Sequence, residues 1–324
     1  MITQSAFATR PYAGEEDVGP ICDLAAACDV VDKIDDNPTP TEMGLWIGLP
    51  ERDLARDTRL WEEESGRLAA FAMLLAPPDE QTANGYFYYR IHPDVRDTGL
   101  VEDILAWGEG RVREIGAERG LPAVLRPDAN EKDPYARGVL ESHGYVPVRY
   151  FFLMRRPLDA PIPEPQFPEG FTLRHIDPES DSDIEGWVEM FNLSFIDHWD
   201  HHPATVERRR YRMSSPHYHA ERDLIAVAPD GTFAGFCLCQ INPEDNERNG
   251  RNEGWIAVLG TRRGYRKIGL GRAMLLAGLH RLKADGVDTA ALGVDAENPT
   301  GALGLYESTG FVKSESEIAY RKDL

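Results

Sequence analysis

Apolar and polar positions follow two rhythms along this chain of 324 residues. Apolar residues at helical spacing predict helices, and short apolar runs bounded by Gly, Pro or Asp predict strands. In the first half, the predicted helices cover residues 18–31, about 101–119 and 135–142, and the predicted strands cover 68–75, 86–91, 123–125 and 150–154. Interleaved strands and helices of this kind are typical of an α/β or α+β domain with a mixed sheet.

A proline-rich segment divides the chain. Residues 157–168 hold five prolines in twelve positions. Proline fixes φ and lacks an N–H donor, so this segment is expected to form neither a helix nor a central strand. We therefore predict an N-terminal domain at 1–156, a linker at 157–169 and a C-terminal domain at 170–324, which suits the length of the chain.

The second half repeats the first. Four landmarks recur at offsets of 164, 165, 170 and 166 residues: Phe171 after Phe7, Thr232 after Arg67, Arg266 after Arg96, and Tyr306 after Leu140. Such constant register indicates an internal duplication. Each copy predicts the order β-α-(α)-β-β-β-α-β-α-β, a mixed sheet with helices on its faces.

Composition limits the classes of function. The formal net charge of −20 argues against nucleic-acid binding, because phosphate contacts need an excess of Lys and Arg. The four cysteines match no zinc spacing and are too few for a disulfide framework. The chain has no apolar run of the length needed to span a bilayer and no signal-peptide pattern, so we expect a cytoplasmic protein without membrane contact, as a monomer or homodimer.

The strongest chemical motif lies at residues 255–274, where a strand, a basic glycine-containing loop and a helix follow one another. A loop with Gly269 and Gly271 that opens a helix leaves backbone N–H groups unpaired, and the helix dipole adds positive potential. The sequence therefore predicts an anion site for a pyrophosphate. The motif is not a Rossmann fingerprint, because Met274 stands where the third glycine belongs, and no Walker Lys-Ser/Thr follows.

Arg266-x-x-Gly269-x-Gly271, followed by Asn298 and by Tyr306 before Gly310, resembles the GNAT superfamily of acyl-CoA-dependent N-acyltransferases. Two such domains in tandem resemble the two-domain type that includes mycothiol synthase. The resemblance implies an acetyltransferase that uses acetyl-CoA (coenzyme A). It implies direct transfer of the acetyl group to a primary amine of a small molecule within a ternary complex.

The resemblance also assigns the site. The expected cofactor-binding residues are Val258, Leu259, Gly260, Thr261, Arg266, Lys267, Ile268, Gly269, Leu270, Gly271, Arg272 and Asn298. A backbone N–H of Leu259 or Gly260 is expected to stabilise the oxyanion. Tyr306 is the expected general acid. Glu253, just before the cofactor strand, is the expected base, acting directly or through water.

The N-terminal copy lacks these features. Val101 replaces the second glycine, Asp97 stands at the position of Lys267, and Leu140 stands at the position of Tyr306. We expect this domain to keep the fold without catalysis, as a packing partner or as a wall of the acceptor cleft.

Residues 197–202 carry aspartates, histidines and a tryptophan, and three interpretations are open: a metal cluster, a solvated loop and an acceptor contact. Pro203 follows at once and no ligand scaffold is evident, so we predict no metal and assign Asp197, His198 and Trp199 to substrate binding. Alternatives for the whole chain are a non-catalytic acyl-CoA sensor, mycothiol synthase itself, and an enzyme for a longer acyl-CoA.

Overall fold

A computed structural model describes residues 7–199 and 201–324. The chain forms two compact units. The first comprises the described residues up to Tyr150 together with Glu317–Leu324, and the second comprises Phe151–Ser316. Within the described residues, no helix combines the length and hydropathy needed to cross a bilayer.

The first unit contains a six-stranded sheet in the order β1-β2-β3-β4-β5-β12. Its strands are β1 (Ala8–Arg10), β2 (Thr58–Glu62), β3 (Leu68–Leu75), β4 (Ala83–Ile91) and β5 (Ala123–Asn130), with the end of β12 (Val312–Asp323). Its helices are α1 (Val18–Asp32), α2 (Pro40–Ile47), α3 (Leu54–Asp57), α4 (Leu100–Arg119) and α5 (Pro134–Ser142). β3 and β4 are antiparallel, as the turn between them predicts.

The second unit has the matching order β6-β11-β10-β9-β8-β7. Its strands are β6 (Val146–Pro157), β7 (Thr172–His175), β8 (Asp223–Val227), β9 (Phe233–Gln240), β10 (Glu253–Thr261) and β11 (Thr289–Asp295). Of β6, only the part from Phe151 onward belongs to the second unit. Its helices are α6 (Asp181–Phe195), α7 (Val206–Met213), α8 (Pro243–Asn249), α9 (Leu270–Ala284) and α10 (Ala302–Ser308). This matching order of elements agrees with the predicted mixed α/β fold.

Each sequence copy gives its last strand to the other unit. β6 pairs antiparallel with β11 from Phe151 to Pro157, and the end of β12 pairs antiparallel with β5. The compact units therefore divide inside β6 and β12 rather than at the proline-rich segment. Of the predicted segment 157–168, Pro157 is the last residue of β6 and pairs with Thr289, so the expectation is wrong at that position, whereas residues 158–168 contain neither helix nor strand. The domain boundaries at 156 and 170 stay a prediction about the repeat.

β10 lies between two helices of the second unit. A Cβ added to Gly254 would lie 2.6 Å from Leu282 of α9, so this position faces α9. A Cβ added to Gly260 would lie 3.1 Å from the Cβ of Ser194 on α6, so Gly260 faces the opposite side. Close packing on both faces of β10 fixes the position of its backbone.

Candidate active site

β10 and β11 diverge partway along their length. They pair in parallel only from Glu253 to Trp255, whereas β10 stays paired with β9 as far as Thr261. The edge of β10 beyond Trp255 therefore faces away from β9 without a β11 partner. An open strand edge offers N–H and C=O groups to an extended ligand that carries amides.

The hydrogen-bond alternation of β10 identifies which amides face that open edge. Arg262 N donates to Ala234 O at 2.9 Å, and antiparallel ladders repeat this pattern every second residue. The N–H groups of Gly260 and Val258 therefore face β9. That of Leu259 faces the open side. The register shifts between Ile256 and Val258, so side chains before and after this irregularity do not alternate regularly between the two faces of β10.

The loop before α9 has the geometry of an anion site. Gly269 caps the helix with φ 87° and no side-chain cap hydrogen bond, so the first N–H groups of α9 remain unpaired. A Cβ on Gly271 would lie 3.2 Å from Thr261 Oγ1, and only a small residue leaves this turn open. Lys267 also adopts a left-handed φ of 66°. Leu270, by contrast, is 1% exposed and anchors the helix in the core.

The basic side chains of the loop differ in their availability. Arg266 donates to Thr261 O at 3.2 Å, to Ser194 O at 2.7 Å and to Asp197 Oδ2 at 2.8 Å. Its guanidinium therefore ties the loop to the end of α6. Arg272 donates to Ser308 Oγ at 2.9 Å. Lys267 and Ile268 are exposed at the tip.

Tyr306 lies in the core beside this loop. It is 7% exposed, and its ring centroid lies 6.1 Å from that of Phe311. Burial, and then the nearby Cys237 thiol, raise the pKa of Tyr306 well above its ordinary value. Cys237 is the register partner of Leu259, so Tyr306 and the outward amide of Leu259 belong to one neighbourhood. The phenol has no hydrogen-bond partner among the described residues.

Glu253 lies apart from that neighbourhood. It is 3% exposed, and its Oε2 accepts from Arg155 Nε at 2.7 Å, while Oε1 is buried without a partner among the described residues. It lies six positions before Leu259 along the strand, a path of roughly 20 Å. The structure therefore does not bring Glu253 and Leu259 together. The ion pair, which joins positions far apart in sequence, could not be inferred from local pattern.

An aromatic cluster that sequence reasoning missed covers the α6 side of Gly260. A Cβ on Gly260 would lie 2.4 Å from Phe236, whose ring centroid is 5.2 Å from that of Trp187 and 6.2 Å from that of Phe195. Phe191 completes the cluster at 4.8 Å from Phe195. The i, i+4 spacing of the two α6 phenylalanines is the sequence signal that could have indicated it.

The residues assigned to substrate binding have other contacts. Asp197 pairs with Arg266 and Arg263, and the bond from Arg266 is the main reason why the pKa of Asp197 is lowered. His198 Nδ1 lies 2.9 Å from Trp199 O, and the ring of Trp199 lies 6.0 Å from that of Phe151. Residue 200 lies outside the described residues. Among residues 7–199 and 201–324, no group of three His, Cys, Asp or Glu side chains is arranged to hold a metal ion.

Asn298 lies in the turn after β11. Its Oδ1 accepts from Thr300 N at 2.8 Å, which fixes the carboxamide. No described residue pairs with its Nδ2, so this donor is free for a ligand. The open edge of β10, the uncapped start of α9 and the close approach at Gly271 together fit the pantetheine and pyrophosphate of acetyl-CoA.

Comparison with known proteins agrees with this geometry. The family described as Acetyltransferase (GNAT) matches residues 184–311. The chain is 31% identical over 311 residues to the mycothiol acetyltransferase of Thermobispora bispora, covering 95% of this chain and 96% of that protein.

Two solved structures are similar over nearly the whole chain. A GCN5-related N-acetyltransferase from Sphaerobacter thermophilus has 29% identity and a TM-score of 0.74, covering 99% of this chain and 96% of that one. A tandem GNAT protein from the clavulanic acid biosynthesis pathway has 18% identity and a TM-score of 0.71 and covers 98% of both chains, which concerns the fold alone. The chain belongs to the GNAT acetyltransferase family, as a tandem member that uses acetyl-CoA.

Proposed function

We propose that the C-terminal unit transfers the acetyl group of acetyl-CoA to a primary amine of a small molecule, by direct attack in a ternary complex. The open edge of β10 beyond Trp255 carries this proposal, because it gives an acyl-pantetheine a strand to pair with beside Tyr306. When bound, acetyl-CoA supplies the activated thioester.

The chain's own residues then act at two points. The N–H of Leu259 holds the oxygen on which negative charge develops. Tyr306 gives a proton to the departing sulfur. Its raised pKa keeps the phenol protonated at neutral pH, although it also makes the phenol a weaker acid. The amides of Lys267–Arg272 and the side chain of Lys267 would hold the pyrophosphate, and Asn298 would donate from Nδ2 to another part of the cofactor, while Arg266 fixes the loop.

The amine must lose a proton before it attacks. The separation between Glu253 and Leu259 exceeds the reach of a direct contact or of one bridging water, so Glu253 stays the proposed base only through a chain of several waters that begins at Oε1, the oxygen that Arg155 leaves unpaired. Asp197, His198 and Trp199 stay the proposed acceptor contacts, at the end of α6.

A panel of acceptors tests this function. Cysteinyl-sugar amines, aminoglycosides, polyamines and peptide N-termini are each incubated with enzyme and acetyl-CoA, and free CoA is measured. Each amine has its N-acetylated form as the matched control. The proposal predicts that one class accelerates CoA release while its acetylated form does not. Equal CoA release with and without every amine would contradict it.

The similarity to mycothiol acetyltransferases favours an acceptor of mycothiol type as the specific substrate. In the panel, this version predicts that the cysteinyl-sugar amine gives the highest kcat/KM. A polyamine or an aminoglycoside in that position would refute the specific acceptor and leave the general function standing.

A further inference from the structure

A cavity of about 260 Å³ lies in the first unit, and all its lining residues belong to that unit. It occurs where β4 and β5 diverge. The two strands pair over Ala83–Phe87 and Ala123–Pro127, and the residues just beyond this ladder line the cavity. The end of α1 and the start of α5 complete the wall.

Three buried polar atoms of the cavity walls lie near one another and have no partner among the described residues. They are the hydroxyls of Tyr89 and Tyr135 and the Nε of Arg96, whereas the side chain of Tyr88 faces Cys22 and Cys28 on the other side of the strand. Tyr89 is itself only 8% exposed. An unpaired buried polar group is destabilising, so three around one cavity indicate a missing polar partner.

Arg96, the counterpart of Arg266 in the repeat, lines this cavity. Its Nη1 and Nη2 donate to Asp32 at 2.7 and 2.5 Å, and its guanidinium lies 4.4 Å above the ring of Tyr135. Nε–H is the donor left over. The side chain is 13% exposed. Arg96 therefore offers one fixed hydrogen-bond donor rather than a free charge.

The charges of the walls narrow the ligand class. Five carboxylates and three guanidinium groups line the cavity, and an excess of negative charge opposes an anion. Asp32 and Asp36 are already paired with Arg96 and Arg90. A donor-only Nε–H cannot serve an ammonium group. Burial raises the pKa of Tyr135 to about 12, and it raises that of Tyr89 further, so both phenols stay neutral donors and acceptors.

We propose that this cavity binds a small uncharged polyol of monosaccharide size or less. Its oxygens accept from Arg96 Nε–H, and its hydroxyls exchange hydrogen bonds with the phenols of Tyr89 and Tyr135. The volume lies just below that of pockets for drug-sized ligands. The proposal is independent of the acetyl-transfer chemistry of the second unit.

Calorimetric titration of the full chain tests the site, with xylitol, myo-inositol and D-glucose as probes and acetate and ethylammonium as charged controls. We expect saturable binding of at least one polyol in the millimolar range or tighter. Tyr89→Phe and Tyr135→Phe should each weaken that binding about 2- to 10-fold, the effect of one neutral hydrogen bond. Tyr150→Phe, at an exposed tyrosine outside the cavity lining, should leave it unchanged.

The unfolding midpoint without ligand gives a second readout. Removing an unpartnered buried hydroxyl should leave the midpoint of Tyr89→Phe equal to or above that of the wild type. The proposal is overturned if none of the three polyols binds up to about 100 mM, far above a millimolar Kd. Tighter binding of acetate or ethylammonium, or wild-type polyol affinity in both cavity variants, would also overturn it.

Discussion

Gly260→Ala tests whether the aromatic cluster holds the cofactor strand in place. The new Cβ would lie 2.4 and 2.5 Å from two ring carbons of Phe236 and 3.1 Å from the Cβ of Ser194. Phe236 is fully buried against Trp187, so its ring has no free space to enter. Overpacking of this kind costs about 1–3 kcal/mol in the free energy of unfolding. Because Leu259 precedes the substituted residue, a shift approaching 1 Å should lower kcat/KM about 100-fold.

The assay combines chemical denaturation with acetyl-CoA-dependent turnover. Gly293→Ala is the matched control, because a Cβ at this exposed strand glycine of the same unit meets nothing within 4 Å. It should retain wild-type stability and rate. A second variant, Gly260→Ala with Phe236→Leu, should recover part of the stability that the two single changes lose. Wild-type stability and activity in Gly260→Ala would refute the packing argument.

Three further predictions concern the loop, the proposed base and acid stability. Gly271→Val should raise the KM for acetyl-CoA at least about 10-fold, because even a single Cβ at this position would lie 3.2 Å from Thr261 Oγ1. The control Gly304→Ala, at an open position of α10, should keep the wild-type KM. Equal KM values for the two variants would contradict this prediction. Glu253→Gln should reduce kcat/KM more at about pH 6 than at about pH 9, because a larger fraction of the amine is already deprotonated at high pH and needs no general base. An equal reduction at both pH values would contradict the assignment of Glu253 as the base. Arg174 holds the pKa of Asp183 below its usual value, so this pair stabilises the fold above about pH 4, and its contribution is lost as the pH falls through the lowered pKa. In denaturation experiments across pH 3–6, the free energy of unfolding of Arg174→Gln should therefore fall less steeply with decreasing pH than that of the wild type. An unchanged slope with pH would contradict this prediction.

Local pattern was enough for most of the fold. The strand predicted at residues 68–75 is β3, and the helix predicted from about 101 to 119 is α4, because each has its own apolar period and its own turn residues. The exchange of β6 and β12 between units could not be predicted, because the repeat gives both copies the same strand order. Pairing choice depends on contacts far apart in sequence.

In the candidate site, too, local features could be predicted from the sequence and contacts between distant segments could not. The anion site was predicted from the glycines that begin α9, and the role of Tyr306 on α10 was predicted from the family resemblance; both stay predictions. The sequence alone did not indicate that Arg266 would turn toward the Asp197 carboxylate and the Ser194 backbone carbonyl, because these groups meet only through the packing of α6 against β10. Glu253 was assigned by proximity in sequence, and its ion pair with Arg155 comes from a strand of the other copy.

The Tyr306→Phe variant, measured for both turnover and acetyl-CoA affinity, tests the catalytic role of Tyr306 most directly. The phenyl ring keeps the packing against Phe311, and the variant loses only the proton donor. We expect kcat to fall about 100-fold or more while the Kd for acetyl-CoA stays within about 3-fold of wild type. An unchanged kcat would contradict the assignment of Tyr306 as the general acid.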